Sequence, residues 1–401
     1  MKRTLRIAVR RYGPFEEALR RQFEDFRNAT GRDLELELAP LDLHPLHSAL
    51  FEQEGLASGD WDLAFVVTDW LADAIQRNLL ADLNGLGRLT EDAGAWTPAL
   101  LSAQCQGTAF HGLPYHDGPE CLIYRADRFR DPREQDAFQE QYGRALRPPS
   151  TWDEFAETAE FFTRPDEGLY GTVFAAFPDG HNTLYDFCLH TWSRGGEIRD
   201  ERGWRVDSPA SRKGLAFYRD LVRRGLVYPD PGSLDSVRSG EVFKEGGAAM
   251  MVNWFGFATS CQLPGSPLHG RAGIAPIPAE GVPATTLSVY WVIGLACGST
   301  KKEDAFAFLR HLATPAMDRL GTLLGVVGCR RSTWNNEEVQ AAQPFYADLE
   351  RIAAGARTLP RSASIPRFAA IIDRVMTRTI SESTPIETIT REAQEEAAAL
   401  P

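Results

Sequence analysis

The sequence lacks any run of about 18 consecutive apolar residues, so no segment reads as a membrane-spanning helix. It also lacks a surplus of positive charge. Lys and Arg number 43 against 55 Asp and Glu, a net charge of -12. That balance offers no basic surface for nucleic-acid phosphates, and a nucleic-acid partner is not expected. Lysine is scarce beside arginine, which we read as composition bias and not as function. The six cysteines, Cys105, Cys121, Cys188, Cys261, Cys297 and Cys329, include no Cys-x-x-Cys pair. A zinc ribbon or redox motif needs such spacing, so buried free thiols are expected, with one or two disulfides left open if the protein is exported. No Gly-x-Ser-x-Gly elbow, His-Glu-x-x-His or phosphate-binding loop is present, so the sequence points to no cofactor and no catalytic residue. His44 with His47, and His111 with His116, are spaced as metal pairs, yet neither has an evident third ligand. The segment Met1 to Arg11 lacks the apolar stretch of about 7–15 residues found in signal peptides. It reads either as a mature start with an added Met or as a protein kept in the cytoplasm. No internal repeat is seen.

What is present is an ordinary globular composition, 43% hydrophobic over 401 residues. Single cores stop growing at roughly 250–300 residues, so two domains are expected. Leu5 to Val9 reads as a strand, and Gly13-Pro14 breaks it. Phe15, Leu19, Phe23 and Phe26 then recur at helical spacing, with Gly31 as the C-cap. Leu34, Leu36 and Leu38 alternate with Glu35 and Glu37 as in a strand. A helix is expected over Leu46 to Leu56, a buried strand over Leu63 to Val67, and another helix from Trp70. This order predicts a doubly wound α/β lobe whose ligand crevices lie at the carboxyl ends of its strands, where Arg10 to Phe15 and Thr68 to Trp70 fall. Further on, Thr151 and Glu154 form a capping-box spacing ahead of a helix. Helices are expected over Asn182 to Ser193 and, behind Ser208-Pro209, to Arg224. Gly246 to Met251 reads as a small-residue strand, Leu287 to Ala296 as strongly β, Lys301 to Thr314 as an amphipathic helix, and 336–400 as all helical.

The ordered motifs resemble one family. They are Phe26-Arg27-Asn28-Ala29-Thr30-Gly31, Gly59-Asp60-Trp61-Asp62-Leu63, Gly112-Leu113-Pro114-Tyr115, and Leu122-Ile123-Tyr124 with Arg125 to Phe129. Pro148-Pro149-Ser150-Thr151-Trp152-Asp153-Glu154-Phe155 follows, then Gly246-Gly247-Ala248-Ala249-Met250 with Trp254, and Ala305 to Leu309 before Thr314-Pro315. The set is similar, over nearly the whole chain, to the extracellular solute-binding proteins of sugar ABC importers, the maltodextrin-binding-like group (family 1). The resemblance implies a two-lobed periplasmic-binding-protein-like α/β fold with discontinuous lobes joined by crossing hinge strands. The implied lobes are 1–113 with 272–330, and 114–271 with 331–401. It implies capture of a small carbohydrate or polyol in an interlobe cleft and delivery to the transmembrane subunits of an ABC permease, outside the cytoplasm, by a monomer that is not an enzyme.

Sugars present a C–H face and a hydroxyl rim, which suit aromatic planes set beside polar side chains. Carried over by position, the implied ligand residues are Arg11, Tyr12, Asp69, Trp70, His116, Asp117, Asn182, Asp186, Trp254, Tyr290, Trp291 and Arg330. Tyr290 and Trp291 point to opposite faces if strand-like, so only one need meet ligand. The family's Gly-Gly before that Trp is Val289-Tyr290 here, a bulkier approach that implies a smaller or differently oriented ligand. Arg10, Arg11, Arg330 and Arg331 leave an acidic sugar open as ligand. Two other classes also stand: a glycosidase using Asp117 and Asp186 as a carboxylate pair, and a cytoplasmic sugar sensor on the same fold.

Overall fold

Apolar alternation and helical periodicity resolve into two α/β units in the computed structural model, which describes residues 3–90, 92, 94–97, 100–101, 103–362 and 364–401. The first unit comprises Met1–Gly118 with Val289–Leu349, and the second Pro119–Ser288 with Glu350–Pro401. This division departs from the implied lobes at three places. Strand Ala272–Ala275 pairs antiparallel with Glu120–Arg125 in the second unit, not the first. Residues 331–349 belong to the first unit, not the second. Residues 114–118 also belong to the first unit, and Leu113–His116 is a strand of the first sheet. It is that sheet's edge strand, where a missing N–H is tolerated.

The first sheet runs Leu34–Leu41, Arg3–Arg10, Leu63–Val67, Trp291–Leu295, Leu113–His116. Its first three strands are parallel, and Trp291–Leu295 is antiparallel to both of its neighbours. Every residue of Leu63–Val67 is buried, as a central strand covered on both faces requires. Helix Gly13–Thr30 buries Phe15, Leu19, Phe23 and Phe26 as the spacing predicts. It ends at Gly31, whose φ of 66° lets its N–H donate to the Arg27 carbonyl. Helix Lys302–Leu312 packs Phe308 against Phe23 and Phe26, with ring centroids 5.2 and 5.3 Å apart. The single helix expected over Leu46 to Leu56 is instead three short pieces, Leu43–His47, a π-helical turn Ser48–Glu52, and Gly55–Ser58. The break comes at Glu54, in the left-handed region at φ 56°, and at Gly55, where a Cβ would meet the Trp61 ring at 2.7 Å.

The second sheet runs Ala272–Ala275, Glu120–Arg125, Ala248–Trp254, Tyr170–Val173. Helix Trp152–Phe162 starts at the reciprocal Thr151–Glu154 capping box. Helix Pro209–Arg223 starts behind Ser208, whose side chain accepts from the Ser211 N–H. Helices Asn182–Trp192, Ile365–Ser381 and Ile386–Ala397 complete its layers. The β stretch expected over Leu287 to Ala296 divides. Thr286–Leu287 pairs parallel with Ala356–Arg357 in the second unit, and Trp291–Leu295 joins the first sheet. Ala356–Arg357 thereby interrupts the tail read as wholly helical. All six cysteines are free. Among the described residues no helix is long and apolar enough to cross a membrane.

Candidate functional site

Three strands of the first unit deliver their carboxyl ends to one edge of the sheet. Arg3–Arg10 leads into Tyr12, Leu63–Val67 into Asp69 and Trp70, and Leu113–His116 ends on His116 before Asp117. Trp291 opens its antiparallel strand at the same edge, paired with Val67 on one side and His116 on the other. The half-buried Trp291 meets buried Trp70 edge to face at 5.9 Å and 89°. Trp70 also packs on His47 at 5.1 Å and Phe51 at 6.0 Å, so much of its ring serves the core. Tyr12 lies 5.0 Å from Phe15 and 6.3 Å from His116.

His116 and Asp117 hang on the loop around Gly328. The Val327 N–H donates to His116 Nδ1 at 2.9 Å, which places the neutral ring's proton on Nε2. Burial pushes the His116 pKa down to about 3, so the ring stays a neutral donor at physiological pH. The Asp117 N–H donates to the Val327 carbonyl at 3.1 Å. Burial raises the Asp117 carboxyl to about 6, against the opposing Gly118 N–H. Its Oδ1 has no partner among the described residues. The loop is itself fixed. Gly328 donates to the Tyr346 hydroxyl at 3.1 Å, and the Cys329 and Arg330 N–H groups donate to the Asp318 carboxylate at 3.0 and 3.2 Å.

In the second unit Trp254 closes strand Ala248–Trp254 opposite Glu120, its antiparallel partner. Tyr185 meets Trp254 edge to face at 5.5 Å and 88°. The next residue on that helix, Asp186, accepts from the Tyr218 hydroxyl at 2.7 Å. Burial raises the Asp186 carboxyl to about 7, with the Tyr218 hydroxyl opposing. Glu120 is raised well above its usual range, first by burial and then by Asp186. Phe174 stacks on Tyr218 at 3.9 Å and backs the cluster.

Four of the positions carried over by resemblance are occupied otherwise. Tyr290 is 1% exposed, and its hydroxyl lies 2.8 Å from both the Leu100 carbonyl and Gln104 Oε1, so it is a core residue. Arg330 is 2% exposed, donates to the Ala313 carbonyl at 2.6 Å and to Asp92 at 3.0 Å, and lies over Trp96. Asn182 donates to Asp179 and accepts from the Ser236 N–H at 3.1 Å, which joins the starts of two helices. Arg11 is exposed and turned toward the Pro40 carbonyl at 3.2 Å and Asp42 at 3.5 Å. Arg10 likewise reaches Asp42 at 3.2 Å. The structure keeps Tyr12, Asp69, Trp70, His116, Asp117 and Trp291 at one edge of the first unit, and Asp186 and Trp254 in one cluster of the second. Sequence reasoning missed Glu120, Tyr185 and Tyr218. Glu120 left a signal: it is an acidic residue opening a strand otherwise rich in Cys, Leu and Ile, just after Gly118-Pro119.

Aromatic edges set beside carboxyl groups, on two α/β units, define a class of binding protein. The chain belongs to the bacterial extracellular solute-binding protein family, whose model matches residues 48–318. Within that class, a Deinococcus radiodurans protein named as a probable ABC transporter-binding protein is 23% identical, over 92% of this chain and 86% of its own. The maltose-bound MalE3 of T. maritima shares the fold with a TM-score of 0.86 at 22% identity, covering 98% of each chain. An ABC transporter solute-binding protein of Agrobacterium radiobacter in complex with ribitol gives 0.84 at 22% identity, covering 99% and 98%.

Proposed function

We propose that this protein captures a small polyol or carbohydrate outside the cytoplasm and hands it unchanged to the transmembrane subunits of an ABC permease. The observation that carries the reading is a half-buried tryptophan in each unit with carboxyl groups nearby in the fold: Trp291 pairs with Val67 and His116, which lead into Asp69 and Asp117, and Trp254 pairs with Glu120 and meets Tyr185, which precedes Asp186. Tryptophan planes take the C–H face of a sugar, and carboxyl oxygens take its hydroxyls. The relatives bound to maltose and ribitol support the same chemistry. An acidic sugar is disfavoured, because Arg330 is buried on Asp92, and Arg10 and Arg11 are turned to Asp42.

Titration calorimetry with ribitol, mannitol and maltose tests the reading. At least one is expected to bind, and Trp254→Ala and Trp291→Ala are each expected to weaken that binding by about tenfold or more. Failure of all three and of the corresponding amino sugars and amino polyols to bind, or release of product from a glycoside, would remove the carrier reading.

A further inference from the structure

A carboxyl group that folding takes out of water is held by a cation, a metal or several donors, or it keeps its proton. Glu120 in the second unit has none of the first three. It is 5% exposed, and its Oε2 has no hydrogen-bond partner among the described residues. Asp186 lies near enough to repel it, and the partner of Asp186 is the Tyr218 hydroxyl. The other groups that act on this neighbourhood are Cys121 beside Glu120, Cys188 on the Asp186 helix, and Arg357, whose charge acts on Cys188. Arg357 is the one cation of that set. Its guanidinium is engaged by Glu197 at 3.1 and 2.6 Å and stacked 4.4 Å over Trp192. The acidic pair therefore has no protein counter-ion among the described residues.

Two aromatic rings stand with it. Trp254 is the cross-strand partner of Glu120, and Tyr185 precedes Asp186 and meets Trp254 edge-on at 5.5 Å. Carboxylates that take N–H bonds, beside rings whose faces attract positive charge, form the chemistry that recognises an ammonium. A neutral hydroxyl can hydrogen-bond to the pair but supplies no counter-charge, so Glu120 keeps its proton. An ammonium supplies both the N–H donors and the counter-charge that lets both carboxyls ionise.

We infer that the solute carries a protonated amino group, as an amino sugar or amino polyol does, and that Glu120 and Asp186 hold this group beside Trp254. The inference rests on the solute-binding reading above and narrows it. When the ammonium enters, the carboxyl proton leaves to solvent and both carboxylates are ionised against the ligand. Calorimetry on the full chain at pH 7 tests this with two matched pairs, 1-amino-1-deoxy-D-glucitol against D-glucitol and D-glucosamine against D-glucose. The amine of at least one pair is expected to bind about tenfold tighter than its hydroxyl counterpart. Its binding heat is expected to vary with the buffer's ionisation enthalpy in the sense of proton release. Glu120→Gln and Asp186→Asn, which keep size, are each expected to erase the preference. If either variant fails to fold, the buffer dependence of the unaltered protein still decides. Equal affinities within both pairs, proton uptake, or a preference retained in Glu120→Gln overturns the inference and leaves the carrier reading in place. Failure of all four, and of ribitol, mannitol and maltose, removes both.

Discussion

Tyr290 and Trp291 are adjacent in the chain and have opposite fates. Trp291 stays half-buried against Trp70, while Tyr290 turns into the first unit's core and is 1% exposed. The alternation of a strand predicts that one of the two faces away, and it does not say which. The choice follows from the Tyr290 hydroxyl, which finds the Leu100 carbonyl and Gln104 Oε1, both 2.8 Å away. Tyr290→Phe removes that hydroxyl. Stability is expected to fall by about 1–2 kcal/mol, because a buried acceptor is left unmade. Solute affinity is expected to stay within a factor of two, read from urea unfolding and calorimetry on the same sample. A tenfold loss of affinity would return Tyr290 to the site. Arg330 tells the same story at a charged residue. An arginine after a glycine-rich turn looks like an anion contact, yet its guanidinium is anchored to Ala313 and Asp92.

At the scale of the element, the loop from Val326 to Arg330 positions two candidate residues that belong to another strand. Val327 donates to His116 and accepts from the Asp117 N–H, so the loop fixes both the tautomer of the ring and the path of the chain after it. A Cβ on Gly328 would lie 2.7 Å from Asp318 Oδ2, the oxygen that also accepts from the Arg330 N–H. Gly328→Ala is therefore expected to displace the loop and to weaken solute binding by about tenfold. The His116 ring signals in an NMR spectrum are expected to move with it. Unchanged affinity together with shifted ring signals would show that His116 does not touch the solute. The helix starts needed no such tertiary help. Thr151 with Glu154, and Ser208 with Pro209, were legible because a cap depends on a side chain and a backbone N–H three residues apart. The Leu46 to Leu56 stretch was misread because its apolar spacing suits a helix, while Glu54 and Gly55 break it for the sake of Trp61.

For the whole molecule, the buried ionisable groups set how stability follows pH. Asp186 is raised from 3.8 to about 7, so between those values the folded chain holds a proton that the unfolded chain has released. Stability from this group is thus greatest below about 4, falls as pH rises to about 7, and is flat above. His116 acts in the other direction. Lowered from 6.5 to about 3, it stays neutral where the unfolded chain would charge, so stability is lost as pH falls below 6.5. Thermal unfolding of Asp186→Asn beside the parent, from pH 4 to pH 8, is expected to show a smaller decline for the variant as pH rises. Parallel curves would mean that Asp186 is not held out of water. The ammonium reading sharpens the same experiment, since a bound amine supplies the counter-charge the carboxyl pair lacks and is expected to reduce the decline as pH rises.

The sequence alone determined the class of fold. Periodicities of 3.6 and 2 and the cap residues are local properties, and seven short motifs kept their order along the chain. It also placed Tyr12, Asp69 and Trp70 at strand ends, because parallel strands deliver their carboxyl ends to one edge. What only the tertiary structure decided was the division into units, since strand Ala272–Ala275 is assigned by its pairing and not by its composition. It also decided which polar side chains are already engaged. Arg330 and Asn182 find partners far away in sequence, while Glu120, barely visible in an apolar strand, is left buried beside Asp186 without a counter-ion among the described residues. Burial and partnership are properties of packing, and the cost of an unpaired carboxyl group appears only once its neighbours are in place.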